Sequence, residues 1–291
     1  MKYLSILFSG LFILSSCVKN NPEPVWLELN QWDLKVNLAA TDDAGQLTHN
    51  LSDAWVYVDN KLIGCFELPC KIPVQANGKN IHVQIYPAIR NNGIAATKKI
   101  YPFVEPIDEV VNLVAGETYT PDMTTRYFAG TQFEIEDFND ATIKLEESDN
   151  SISTALLSYD NQPNEMLPNG QNYAHIQLST NTSLFEAHTT LETFVPSAGK
   201  EIYLELDYRN TNGLLTGVML YDNNSSAIHP NILVNPQNES DLKWKKIYID
   251  LKEIVATAAG SGNLEIYLKA QLESGKSNSD IYIDNIKVVR L

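Results

Sequence analysis

The chain of 291 residues carries 36 acidic against 21 basic side chains, a formal net charge of −15, with a mean hydropathy of −0.20. Such a charge repels phosphate backbones at long range, so the composition excludes nucleic acid as a partner. Beyond the first 17 residues, no stretch approaches the roughly 18 consecutive apolar residues of a membrane-spanning helix. The chain is long enough for one large or two ordinary domains.

The first residues have the pattern of an export signal. Lys2 precedes an apolar run over residues 3–14, and small residues then lead to Cys17. The tetrad LSSC at residues 14–17 resembles the lipobox of bacterial lipoproteins. This resemblance implies a signal peptide over residues 1–16, acylation of Cys17 by chains such as palmitate, and anchoring to the outer membrane, because Val18 is not the Asp that marks inner-membrane retention. The alternative is an ordinary secretory signal with a chance cysteine.

The segment after the lipid cysteine is expected to be unfolded, and the first strand to follow it closely. Residues 17–25 are mostly polar and contain two prolines, which predicts a tether. Residues 33–39 alternate with a period of two, which predicts a half-buried strand with Leu34, Val36 and Leu38 on one face.

The clearest local structure of the first half is a hairpin. Two β-rich runs flank Asp59 and Asn60, which both tolerate a positive φ. Six or seven short strands over residues 26–127 predict an Ig-like or prealbumin-like β-sandwich. The run over residues 56–69 resembles the PEGA and carboxypeptidase-regulatory modules of exported proteins, which implies a spacer or interaction domain without catalysis.

Two cysteines remain after the lipidated one. Cys65 and Cys70 form an even pair with Pro69 between them. In an oxidising, exported compartment such a pair predicts a local disulfide across a turn. The alternative is a pair of free, buried thiols.

The strand pattern restarts in the second half and the strands lengthen. Residues 128–291 predict an antiparallel jelly-roll β-sandwich, in which only residues 252–259 have a helical pattern. The motifs IEDF at 135–138, WKKIYIDL at 244–251 and DIYIDNIKV at 280–288 resemble a galactose-binding-like jelly roll, as in many carbohydrate-binding modules. The whole chain is thus expected to be all-β, with two sandwiches in tandem.

The same resemblance implies a cofactor. In that family the first and last strands lie side by side, and their acids often hold a structural Ca²⁺ with nearby backbone carbonyls. Carried over by position, Glu136 and Asp284 are the candidate ligands, since Ca²⁺ prefers several hard oxygens. The alternative is that Asp284 caps a turn and Glu136 is solvated.

Alternation also suggests a ligand site. Tyr203, Tyr248 and Tyr267 fall on the mixed faces of long strands, beside acidic residues. If these faces gather on one concave sheet, they form a groove with flat rings and hydroxyls that suits a sugar. The alternative is a tyrosine-rich solvent face, which is common in antiparallel sheets.

A catalytic role has little support in the sequence. Glu134 and Glu136 share a strand face about 7 Å apart, a separation found between the carboxylates of inverting glycosidases. In a chain with 36 acids such pairs arise by chance, and no GxSxG or HExxH motif accompanies them. We therefore predict no enzyme.

These features together predict a non-catalytic lipoprotein, attached to the outer membrane by its lipid, whose jelly roll binds a glycan. The alternative is a structural accessory subunit of an outer-membrane secretion, uptake or adhesion complex, with an outer-membrane protein as its partner.

Overall fold

The structure is a computed structural model that describes residues 23–160, 171–190, 193–194, 196–222, 225–257 and 262–291. The predicted lipidation site, Cys17, lies outside the described residues. Nearly all regular structure in these ranges is β-strand, as predicted, and the short helix α1 (Lys252–Ala256) falls within the segment predicted to be helical. None of the helices in the described ranges is long and apolar enough to cross a membrane.

The strands up to residue 127, which we call the N-terminal unit, pair with one another. They are β1 (Val25–Leu29), β2 (Asp33–Lys35), β3 (Asp53–Val58), β4 (Lys61–Glu67), β5 (Cys70–Val74), β6 (Gly78–Arg90), β7 (Lys98–Ile100), β8 (Ile107–Leu113), β9 (Thr118–Tyr119) and β10 (Thr124–Arg126). One sheet has the order β4-β3-β6-β7 with β8 added on β6, a second has the order β5-β1-β9, and β2 pairs with β10. Their buried faces enclose one hydrophobic core.

The predicted hairpin is confirmed, whereas the predicted strand over residues 33–39 is too long. β3 and β4 are joined by Asp59 and Asn60, whose φ values of 49° and 62° are both positive. β2 ends at Lys35 because its partner β10 ends directly opposite, so no ladder extends further. Val36 and Leu38, expected on the buried face, are 62% and 97% exposed.

The predicted disulfide is not formed, and its two cysteines lie on strands of different sheets. Cys65 and Cys70 are both free thiols. Cys65 lies on β4 opposite Trp55, whereas Cys70 begins β5 opposite Leu29. Burial, with the charge of Asp53 adding to it, raises the pKa of Cys65 to about 11, so this thiol stays protonated at neutral pH.

The strands from residue 132 onwards, the C-terminal unit, form two facing antiparallel sheets. They are β11 (Gln132–Glu136), β12 (Leu145–Glu147), β13 (Ala155–Asp160), β14 (Gln171–Ser179), β15 (Leu184–Thr189), β16 (Thr193–Phe194), β17 (Ile202–Asn210), β18 (Leu214–Asp222), β19 (Ser225–Val234), β20 (Lys245–Asp250), β21 (Asn263–Gln271) and β22 (Asn278–Arg290). The interface sheet has the order β13-β14-β22-β17-β20 with β11 on β22, and the second sheet has the order β12-β15-β21-β18-β19 with β16 on β21. The unit is therefore a β-sandwich.

Strand alternation explains the core between these sheets. The inward residues of β17, β20 and β21 are branched and fully or almost fully buried: Ile202, Leu204, Leu206, Ile247, Ile249, Leu264, Ile266 and Leu268. Burial of each such side chain stabilises the fold by about 1.5–3 kcal/mol. β11 pairs with β22, so the first and last strands lie side by side as the family resemblance implies.

The N-terminal unit protects one edge of the interface sheet. The turn between β6 and β7 lies against the edge strand β20, where Asn92 N donates to Tyr248 O at 2.9 Å and Asn92 Oδ1 accepts from Asp250 N at 2.8 Å. Gly93 follows in the turn with a φ of +71°, and a side chain there would meet Ile247 at 2.9 Å. Backbone groups at a sheet edge that would otherwise face solvent are thus paired.

Candidate functional site

Two of the three predicted sugar-binding tyrosines lie in the contact between the units. Tyr203 is 0% and Tyr248 is 2% exposed, and both belong to the core of the N-terminal unit. The Tyr203 ring packs edge-on against Tyr101 and Phe103, with centroid distances of 5.6 and 5.8 Å. The Tyr248 hydroxyl accepts a hydrogen bond from Asn50 N at 2.9 Å. A sugar has no access to either ring.

The third tyrosine is on the other sheet, so the predicted groove does not exist. Tyr267 lies on β21 of the second sheet, opposite His188 and Gly217, and is only 4% exposed. Burial, followed by the charge of Glu186, raises its pKa. Alternation correctly put each tyrosine on an outer face of the sandwich, but the three do not share a face and none is open to solvent.

The contact between the units encloses a buried ion cluster made of Glu205, Asp207, Lys246 and Lys287. Lys246 Nζ lies 3.1 Å from Glu205 Oε2 and 3.2 Å from Asp207 Oδ1, and it donates to Thr48 Oγ1 of the N-terminal unit at 3.0 Å. Burial alone would lower the pKa of Lys246, but the two carboxylates raise it above its ordinary value. Lys246 therefore stays charged.

Hydroxyls of the N-terminal unit complete the cluster. Tyr101 and Tyr127 donate to Glu205 Oε1 at 2.5 and 2.7 Å. Burial would raise the pKa of Glu205, but Lys246, Lys287 and the two hydroxyls hold it below its ordinary value. Burial and the neighbouring charge of Lys246 lower the pKa of Lys287 to about 8. Because its partners belong to both units, the cluster fixes how the units dock.

The predicted calcium ligands do not fit a shared site. Both carboxylate oxygens of Glu136 are occupied by backbone N–H groups, from Phe138 at 2.5 Å and from Lys144. Asp284 accepts from Asn285 N at 2.6 Å, and burial raises its pKa to about 8. Within the described ranges, no group of three His, Cys, Asp or Glu side chains is placed to hold a metal. Glu136 therefore caps the loop after β11.

The carboxylate pair on β11 has structural partners. Glu134 lies 3.6 Å from Arg290 Nη2, and Glu136 is 2% exposed with both oxygens hydrogen-bonded. A glycosidase needs two carboxylates that reach opposite sides of a bound sugar. A buried carboxylate committed to two backbone donors is unsuited to that role.

A different set of rings, the aromatic row, lies elsewhere on the outer face of the interface sheet. His175, Tyr282 and Arg209 lie directly opposite one another on β14, β22 and β17, and Trp244 comes alongside just before β20. The His175 and Tyr282 rings are stacked, with centroids 4.3 Å apart and an interplanar angle of 14°. Arg209 Cζ lies 4.1 Å from the Tyr282 centroid and 5.7 Å from that of Trp244.

Tyr173, on β14, crosses this stack. Its ring lies at 67° to Trp244 and at 71° to Tyr282, with centroids 5.6 and 5.8 Å away. The faces of the His175 and Tyr282 rings are turned towards each other. The Tyr173 ring is steeply inclined to Tyr282, so its face does not belong to this stack. Tyr173 is half-buried.

Polar atoms surround the row. His175 Nε2 and Asp280 Oδ1 are 2.8 Å apart, and Gln177 Nε2 donates to the same oxygen at 3.4 Å. Arg209 makes no ion pair or hydrogen bond with any described residue, and its Nε, like Trp244 Nε1, is a buried donor without a partner. The row thus combines apolar rings with a carboxylate acceptor and an arginine whose donors are unused, which is the combination that a polyhydroxylated ligand requires.

Sequence reasoning missed this row although parts of it stood in quoted motifs. Trp244 opens the WKKIYIDL segment and Tyr282 lies in the YIDNI segment. Their proximity to Arg209 depends on the register of three strand pairs, which the sequence pattern does not specify. The available signal was the outward alternation of Tyr173 and His175 on β14.

No protein-family model and no curated protein matches the chain. Among solved structures, the chain is similar to the CBM22-2 xylan-binding domain from Paenibacillus barcinonensis Xyn10C, with 13% identity, a TM-score of 0.37, and coverage of 54% of this chain and 98% of that chain.

Two further solved structures are also carbohydrate-binding modules. One is a CBM28 module specific for non-crystalline cellulose, with 11% identity, a TM-score of 0.38, and coverage of 52% of this chain and 90% of that one. The other is from a study of the β-sandwich superfamily of carbohydrate-binding modules, with 10% identity, a TM-score of 0.36, and coverage of 81% and 84%. At TM-scores below 0.5, these similarities carry no argument about the ligand of this chain.

Proposed function

We propose that the protein is a non-catalytic glycan-binding protein and that the glycan lies on the aromatic row. The observation that carries the proposal is the convergence of Tyr173, Trp244, Tyr282 and Arg209 on one outer sheet face. A sugar ring offers C–H groups to an aromatic face and hydroxyls to nearby donors and acceptors. Tyr173 supplies a ring face, while Arg209 and Asp280 supply the donors and the acceptor.

The state of Arg209 supports this proposal. The protein has 36 acidic residues, yet the Arg209 guanidinium pairs with no described carboxylate and is held between two rings. Burial of a donor without a partner costs about 1–3 kcal/mol. Arg209 Nε and Trp244 Nε1 are too buried to reach a ligand, so the donors that ligand hydroxyls can use are the Nη groups of the half-buried Arg209, which pair with no described residue.

The row also supports a binding role over hydrolysis. Among the described residues, one carboxylate adjoins the row, that of Asp280. Its Oδ1 atom lies 2.8 Å from His175 Nε2. Glycoside hydrolysis uses a pair of carboxyl groups about 5–10 Å apart across the scissile bond. Among the described residues the row offers one such group, which supports binding without cleavage.

The test is polysaccharide binding by the mature full chain. Affinity electrophoresis against a panel of neutral polysaccharides, followed by calorimetry on those that retard the protein, measures the affinity. Tyr173→Ala and Arg209→Gln are each expected to weaken binding by about tenfold or more, which corresponds to roughly 1.4 kcal/mol. Tyr57→Ala is the matched control, because Tyr57 is a half-buried tyrosine packed edge-on against Tyr86 on another sheet.

Equal losses in the control and the row variants would overturn the site. If the wild type is retained on no polysaccharide and instead co-purifies with an outer-membrane barrel protein, the accessory-subunit interpretation replaces glycan binding.

We also propose that the protein is a lipoprotein of the outer membrane. The proposal rests on the lipobox that ends at Cys17 and on Val18 after it. Mass spectrometry of the native amino-terminal peptide is expected to give an acylated cysteine, and membrane fractionation to place the protein with the outer membrane. Cys17→Ser is expected to release it. An unmodified cysteine in the native protein contradicts the proposal.

A further inference from the structure

A cavity lies where the two units meet, and we call it the junction cleft. None of the residues that line it belongs to the aromatic row. It has a volume of about 360 Å³, within the range of small-molecule sites. Both units contribute to it: the N-terminal unit by Asn50, Arg90 and Gly93, and the C-terminal unit by residues of β17 and β20, namely Tyr208, Lys245, Lys246, Ile247 and Tyr248. None of these described lining residues is acidic, in a chain with a net charge of −15.

The positive charge of the cleft is only partly neutralised. Lys246 is committed to the buried ion cluster, and Arg90 Nη2 lies 2.8 Å from Glu67 Oε1. The side chain of Lys245, by contrast, makes no ion pair or hydrogen bond with the described part of the chain. The ammonium group of this half-buried residue has no counter-charge among the described residues, so it is an available partner for one negative charge on a ligand.

Neutral polar groups of the cleft are also unused. The Tyr208 hydroxyl has no hydrogen-bond partner among the described residues, and burial raises the pKa of Tyr208, so it remains a donor. Asn50 donates through Nδ2 to Lys246 O at 3.2 Å, which leaves its Oδ1 atom as an acceptor. Ile247 and Gly93 supply an apolar wall. The cleft therefore offers a cation, a hydroxyl donor, an amide acceptor and a small apolar surface.

We propose that the junction cleft binds a small sugar acid, a monosaccharide-sized ring that carries one carboxylate. The carboxylate pairs with Lys245, a ring hydroxyl donates to Asn50 Oδ1, and another accepts from Tyr208. Inorganic phosphate leaves most of the volume unfilled. A polyanion is repelled by the net charge of the protein, whereas a ligand with one charge is repelled far less. The cleft is independent of the glycan site proposed above.

The probes are glucuronate and galacturonate, with glucose and inorganic phosphate as comparison ligands. Isothermal titration on the mature full chain at low ionic strength is expected to give saturable binding of at least one uronate. Glucose is expected to bind at least about tenfold more weakly, because it lacks the charge that Lys245 recognises. Raising the salt concentration is expected to weaken uronate binding.

Variants separate the cleft from general surface charge. Lys245→Gln is expected to weaken uronate binding by about tenfold or more, and Tyr208→Phe by about threefold. Lys243→Gln is the matched control, because Lys243 is exposed, pairs with Asp241 and is not part of the cleft. Chemical denaturation of each variant checks that the fold is intact. The proposal is overturned if neither uronate binds at millimolar concentration, if glucose or phosphate binds as well as the uronates, or if Lys243→Gln matches Lys245→Gln.

Discussion

Asp284 is a carboxyl group that its surroundings keep protonated at neutral pH. It is 0% exposed, and its Oδ2 atom has no hydrogen-bond partner among the described residues. Burial, with the charge of Asp207 adding to it, raises its pKa from 3.8 to about 8. Between these values the folded chain holds a proton that the unfolded chain has released. Stability therefore falls as the pH rises through this window.

Replacement by the neutral isostere tests this argument. Asp284→Asn keeps an acceptor for Asn285 N and removes the charge that the fold disfavours, so it is expected to stabilise the protein at pH 7 by roughly 2–4 kcal/mol. The gain is expected to shrink towards zero near pH 4, where the unfolded carboxyl is also protonated. Urea unfolding across this pH range measures it, with exposed Asp149→Asn as the control. A variant less stable than wild type at pH 7 contradicts the argument.

Single positions also mark where sequence reasoning ends. Tyr203 and Tyr248 were correctly put on the outer face of the interface sheet, because alternation with a period of two fixes the face. Whether that outer face is covered depends on how the N-terminal unit docks on it. The strand pattern does not predict this docking. The same limit applies to Arg209, whose place between two rings is a matter of register.

Among the strands, β19 shows how local turn chemistry misleads. The HPN triplet at residues 229–231 has the composition of a loop, yet β19 runs through it. β19 is an edge strand of the second sheet, where a proline without an N–H is tolerated. The register shift between Leu215 and Gly217 of β18 accommodates this segment as a bulge. Strong alternation, as in β17 and β21, is the more dependable signal, because it fixes which residues of a strand are buried.

The bulge depends on the absence of a side chain at Gly217. A Cβ atom there would lie 2.5 Å from His229 O and 3.0 Å from Pro230 Cα, both backbone atoms of β19. Gly217→Ala is therefore expected to cost about 2 kcal/mol or more, as overpacking does. Gly130→Ala is the control, since a Cβ atom there meets nothing within 4 Å. Thermal unfolding measures both, and equal effects would show that the bulge relaxes freely.

At the scale of the whole molecule, the core of the N-terminal unit continues into the C-terminal unit, which also has a core of its own. Tyr203, Tyr248 and Val289 of the C-terminal unit are buried among N-terminal residues, and the ion cluster lies beside them. The sequence predicts two sandwiches in tandem with a spacer-like first unit. In the structure, the contact between the units buries charges and rings from both units. These side chains are distant in sequence, so the strand pattern could not predict that they meet.

A shared core predicts cooperative unfolding. Calorimetry of the wild type is expected to give one transition for both units. Tyr101→Ala removes a buried ring and the hydroxyl that donates to Glu205, at a cost of about 3–5 kcal/mol. We expect it to lower or split that transition, whereas Tyr57→Ala leaves its shape unchanged. Two separate transitions in the wild type would contradict the shared core.

The turn between β6 and β7 affects how a shortened form of the protein, reduced to its C-terminal unit, would behave. A fragment that begins at residue 128 lacks Asn92, so Tyr248 O and Asp250 N lose their hydrogen-bond partners. The rings of Tyr203 and Tyr248, buried in the full chain, become exposed to solvent. An edge strand with unpaired backbone groups and exposed rings can pair with the same strand of a second copy. Sedimentation velocity should then find dimers or larger species of the fragment, and any apparent avidity for polysaccharide would come from self-association.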